Sequence, residues 1–116
     1  MMKNYEAKVI YLSIKQKGNC AIAAAAGSMA QITELHHRLH NTKVNREKYP
    51  LFIDSVFNLV AVNYNYHAMK PHFQKINYIK AAKIEAMLVQ HPELAAMGND
   101  PSGLSEIALA QYRDSL

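Results

Sequence analysis

The chain has 116 residues, half of them hydrophobic and 19% charged, with one cysteine and a net charge of +4. This length suits one domain with a real core, the apolar content excludes global disorder, and the lone Cys20 excludes an intrachain disulfide framework. Eight Lys/Arg against three Asp/Glu over residues 1–48, and one against four over residues 93–116, make a basic body with an acidic tail, which excludes an acidic nucleic-acid mimic and suits an acidic or phosphate-bearing partner.

Residues 5–15, YEAKVIYLSIK, are rich in Val, Ile and Tyr. That composition favours a strand, with a helix as the alternative. No second convincing strand follows, so a strand here would pair with a second copy of the chain or with a partner's strand.

Gly18-Asn19 punctuates the chain, and Asn19 is a candidate N-cap for a helix over 19–40. Ile22, Ala25, Met29, Ile32, His36 and Leu39 would form its apolar face. The stretch NCAIAAAAGSMAQ has the small residues of a secretory leader. It is too weakly apolar for a leader and too short for a membrane span, and Glu6 interrupts the segment before it. The reading is therefore a cytoplasmic protein without membrane contact. Ala25 and Ala26 would let a neighbouring helix approach closely, and Cys20 would be small filler rather than a nucleophile.

The next helix is expected over 46–69. Phe52, Ile53, Val56, Phe57, Leu59, Val60 and Tyr64 cover most of its circumference, which marks a central helix or one that also packs on another subunit. A helix over 73–90 mixes apolar residues and lysines on both faces. Pro92 suits the first turn of a short helix over 92–97, closed by Gly98. A last helix is expected over 101–114. Its SGLSEIALAQY stretch resembles the opening helix of a helix-turn-helix, but a recognition helix would have to follow, and the local acidic charge repels phosphate. The expected fold is mainly α, a small bundle of three to four helices, with one N-terminal strand paired between subunits if 5–15 is extended.

Histidine carries the main chemical signal. In ELHHRLH, His36 and His40 are spaced i,i+4, which on a helix presents two imidazoles to one metal, with His67 and His72 as contributors in space. The glutamate of a zinc-protease motif is missing, and amphipathic cover is the plainer role. Carboxylates are scattered, with Asp54 alone in the apolar stretch of the long helix, and no phosphate-binding or nucleophile motif occurs. Neither enzyme activity nor a cofactor is expected.

Association is the leading reading. Ile76, Lys80, Lys83, Ile84 and Met87 form a mixed face suited to a partner protein, and six methionines add adaptable packing. The expectation is a non-enzymatic, homo-oligomeric regulator or inhibitor that acts stoichiometrically on another protein, like small phage- or plasmid-encoded regulators. The alternative is nucleic-acid binding through Lys70, Lys75, Lys80 and Lys83 interleaved with Phe73 and Tyr78.

Overall fold

A computed structural model describes residues 2–102. The described residues form six helices and two strands: α1 (Tyr5–Lys15), α2 (Ala21–Ala25), β1 (Glu34–His37), α3 (Lys43–Lys48), β2 (Leu59–Val62), α4 (Tyr64–Met69), α5 (Tyr78–Gln90) and α6 (Pro92–Asn99). Helix predominates, as expected. Instead of packing as a simple bundle, however, the helices lie about a two-stranded antiparallel sheet, and three of them have only five or six residues. No helix among the described residues is long and apolar enough to cross a membrane.

Residues 5–15 are helical, so the favoured strand reading and its pairing between subunits fall. The reason is burial. Lys8, Tyr11 and Leu12 all point inward, which a helix allows and a strand, with its alternating faces, does not. Glu6 in the first turn and Lys15 in the last also suit the helix dipole.

The helix expected over 19–40 is corrected to the short α2 followed by β1. Gly27 adopts φ +72°, and the chain closes a Schellman motif there: Ser28 N–H donates to Ala23 O at 2.8 Å and Gly27 N–H to Ala24 O at 3.1 Å. Asn19 does not cap this helix. Its side chain instead ties the returning chain, accepting from Ala30 N–H at 2.9 Å and donating to Ser28 O at 3.0 Å. Ala25, Ala26 and Met29 are exposed, so the close-packing face is not there; Ala23 and Ile22 are the buried pair.

The helix expected over 46–69 is corrected to α3, a run of turns, β2 and α4. A strand buried on both faces reads as a continuous apolar run, and periodicity cannot tell it from a buried helix. β2 is such a strand, with all four residues of LVAV buried. Local caps divide the segment. Thr42 Oγ1 accepts from Asn45 N–H at the start of α3, and Asn63 Oδ1 from Asn65 N–H at the start of α4. Between them the fully buried Asn58 amide donates to Ile53 O at 2.9 Å and accepts from Leu39 N–H at 2.7 Å, which holds the turns to β1.

The third helix begins at Tyr78, not at 73, because Asn77 Oδ1 accepts from Lys80 N–H at 2.8 Å and residue 74 has φ 52°. α6 runs past the expected end at 97, with Gly98 inside it. A Cβ on Gly98 would lie 2.9 Å from the Phe57 ring, so the glycine serves close packing there, not closure. The helix expected over 101–114 lies outside the described residues from position 103 onward.

β1 and β2 pair antiparallel in the register Glu34↔Val62, Leu35↔Ala61, His36↔Val60 and His37↔Leu59. The sheet separates two apolar cores. Leu59 and Ala61 face the larger core, with Leu12 of α1, Ile84 and Leu88 of α5 and Leu94 of α6. Val60 and Val62 face the smaller one, with Cys20, Ile22 and Ala23. The outer edge of β2 is closed by a side chain: the Gln16 amide donates to Ala61 O at 2.8 Å and accepts from Ala61 N–H at 2.9 Å, as a third strand would.

Candidate functional site

β1 turns Glu34 and His36 to one sheet face and Leu35 and His37 to the other, because a strand alternates. Each face gathers histidine and carboxylate, in different company.

On the larger-core side, His37 Nε2 lies 2.9 Å from Asp54 Oδ1. Arg46, from the last turn of α3, grips the same carboxylate with both terminal nitrogens at 2.8 and 2.9 Å. Burial favours protonation of Asp54, but the hydrogen bonds and charges of Arg46 and His37 outweigh it and hold the carboxyl below its usual range. The His37 imidazole is pushed down. Burial dominates there, with Arg46 and Lys8 adding to it and Asp54 opposing. A carboxylate normally raises the basicity of its histidine, but here Arg46 has neutralised it. The neutral His37 donates from Nε2 to Asp54, so its Nδ1 is the lone-pair nitrogen. Behind them Lys8 has no exposed surface, and its Nζ donates to Asn99 Oδ1 at 3.2 Å. Burial lowers the Lys8 pKa, while Asp54 and Asp100 work against that.

His37, Arg46 and Asp54 form one wall of a cleft of about 880 Å³, within the size range of ligand sites. Met2, Tyr5, Leu35, Leu51 and Ala95 supply its apolar lining, and Lys3, Asn41 and Asn99 supply further polar groups. Arg46 spends two of its five N–H groups on Asp54 and its side chain is 42% exposed, so donors remain for an anion.

On the opposite face four groups line up. Glu34 Oε2 meets His67 Nδ1, His67 Nε2 lies 2.9 Å from His36 Nδ1, and His36 Nε2 lies 2.7 Å from the Phe73 carbonyl oxygen. The carbonyl can only accept, so His36 Nε2 carries a proton. Burial pushes the His36 pKa down, with help from His67, His40 and His37 and against the Phe73 carbonyl, so the ring is neutral and Nδ1 accepts. His67 Nε2 must then donate. Its Nδ1 faces Glu34 Oε2, which completes the line of contacts.

The metal expectation is corrected at its premise. His36 and His40 do not share a helix face: His36 is buried on β1 and His40 lies beyond its end. They meet different partners, His36 with His67 and His40 with His72, the latter pair at 3.2 Å. Among the described residues, no group of three or more His, Cys, Asp or Glu is placed to hold a metal ion. Cys20 is buried filler whose Sγ accepts from Asn63 N–H.

The expected partner face is split. Ile76 and Ile84 belong to the larger core and Met87 packs half-buried against it, which leaves Lys80 and Lys83 exposed. The large apolar residues that α5 does expose are Tyr78, Ile79 and Val89, with Ile79 at 84%. Of the basic face, Lys70, Lys75, Lys80, Lys83 and Tyr78 are exposed, while Phe73 is half-buried against the smaller core. Sequence reasoning missed Lys8, His37, Arg46 and Glu85, whose carboxylate accepts the Leu51 and Phe52 N–H groups at 3.0 and 2.9 Å. The one available signal was Asp54, a lone carboxylate in an apolar run.

No protein-family model matches the sequence, and no curated protein or solved structure matches it.

Proposed function

We propose that the protein is a non-enzymatic binding module that acts stoichiometrically, receiving an acidic segment of a partner protein, flanked by apolar residues, in the cleft beside β1. The observation that carries this reading is the cleft's composition: an apolar lining with Lys3 and the partly engaged Arg46 beside it, in a chain of net charge +4. Apolar burial supplies most of the affinity, at roughly 25 cal/mol per Å². The cations select the ligand and steer its approach. His37 is a poor general base here, because Arg46 cancels the carboxylate that would activate it.

The reading does not lean on self-association. Its two sequence premises are met within one chain: residues 5–15 are helical and the apolar run over 52–62 is buried. Light scattering checks the oligomeric state directly.

The test is an array of fluorescein-labelled heptapeptides in which Val and Leu alternate with Asp, with Lys or with Ser, read by fluorescence polarisation. The Asp set binds, binding weakens with salt, and both Lys3→Gln and Arg46→Gln weaken it further. Equal binding of the three sets, or wild-type affinity in both variants, overturns the reading. The exposed Lys70, Lys75, Lys80 and Lys83 with Tyr78 favour nucleic acid as a second reading. It requires salt-sensitive oligonucleotide binding that is lost in Lys80→Glu/Lys83→Glu.

A further inference from the structure

We infer that the outer edge of β1 is a strand-addition site, where an extended segment of the partner pairs its main chain with Leu35 and His37; this rests on the cleft reading above. In an antiparallel pair, residues alternate between bonding across the ladder and turning their N–H and C=O away from it. Ala61 turns both groups to Gln16, away from β1. Its opposite residue, Leu35, therefore turns away from β2 as well. Arg38 N–H donates to Asn58 O at 2.8 Å, which continues the same phase and places His37 with Leu35. Glu34 and His36 bond inward to β2, and Leu35 and His37 offer theirs outward. Among the described residues, neither outward pair of groups has a hydrogen-bond partner.

The two edges of the sheet thus differ. The β2 edge is capped by Gln16, while the β1 edge is open beside the cleft that the Leu35 and His37 side chains line. A residue added opposite either of them points to that same face. An acidic side chain there comes under Arg46 and Lys3. Its neighbours in sequence point to the other face, toward Glu34, which disfavours acid at those positions. The preferred segment therefore alternates, with acidic or apolar residues on the cleft side and uncharged ones on the other. A second copy is the poorer occupant, because pairing two β1 edges brings two basic clefts together.

Amide hydrogen exchange on the full chain, followed by NMR, tests this. In the free protein Glu34 and His36 amides exchange slowly and Leu35 and His37 amides exchange fast. Saturation with the tightest Asp heptapeptide of the array slows Leu35 and His37 by roughly tenfold or more. N-methylation of that peptide at alternate amides abolishes binding for one parity and spares it for the other. Peptide that binds without slowing these two amides, or with no parity effect, overturns the strand-addition inference and leaves the cleft reading standing. Leu35 and His37 amides already slow in the free chain, whether or not a dimer forms, also overturn it. Failure of every peptide to bind overturns both.

Discussion

The two faces of β1 solve the same problem in opposite ways. Each sets a histidine against a carboxylate in partial burial. At Asp54 the compensating cation is Arg46, so His37 stays neutral and the carboxyl is held ionised. At Glu34 the third partner is a second histidine: the chain of contacts runs from Glu34 through His67 and His36 to a backbone carbonyl. The lesson is that the third partner, not the histidine–carboxylate pair, sets what the site has left to offer. It also separates their uses. The arginine-balanced face keeps spare donors beside a cleft, whereas the histidine chain ends on the fold's own backbone.

The comparison breaks most sharply at Asp54. Asp54→Ala leaves Arg46 and His37 without their acceptor and, because solvent screens the 42% exposed Arg46, should cost about 1–2 kcal/mol in urea denaturation. Asp54→Ala/Arg46→Ala should recover part of that loss; no recovery would mean the arginine is not balanced by this carboxylate. Acid sharpens the contrast next. The pKa values of His36, His37 and His40 are lowered in the fold, chiefly by burial. The unfolded chain therefore takes up protons first as pH falls through about 6.5, and stability falls with it. Asp54, depressed in the fold, adds its own loss only at lower pH, once the folded carboxyl is protonated. Denaturation midpoints that stay flat from pH 7 to pH 5 would contradict this.

Glu34→Gln addresses the opposite face with a smaller effect, about 0.5–1.5 kcal/mol at neutral pH. A glutamine amide can donate to His67 Nδ1 from the same place, so the contact of His67 with His36 should persist and urea denaturation should show only this modest loss. A loss as large as that of Asp54→Ala would contradict this. The smallest effect is expected on the exposed side of α2, whose other side packs against the smaller core. Ala25→Leu is exposed and should lie within about 0.5 kcal/mol of wild type, whereas Ala23→Leu, fully buried, should cost about 1–3 kcal/mol. Thermal melts of the two variants separate these cases.

Legibility in the sequence tracked how local the deciding interaction was. Pro92 marked the start of α6, and Gly27 ended α2, although the alanines around it hid the stop. The histidines were visible but their grouping was not. His36 and His40, four residues apart, separate, while His36 and His67, thirty-one apart, touch. Lys8 and Glu85 read as ordinary surface charges, because nothing near them in sequence announces Asn99 or the turn at Leu51.

By itself, the sequence determined one helix-rich domain, a lone cysteine used as filler, α6, and most of α5. These follow from composition, caps and short-range periodicity. Only the tertiary structure decided that the runs 19–40 and 46–69 each break around a strand. β2 is buried on every side and has no polar stripe from which a period can be read, while the histidines of β1 fall at helical spacing by chance. The pairing of Glu34 with Val62, which creates both faces of β1 and its open edge, joins residues twenty-eight positions apart. Local propensity carries no information about such a contact, because its free energy comes from the closed ladder and the two cores, and neither exists until the chain has folded.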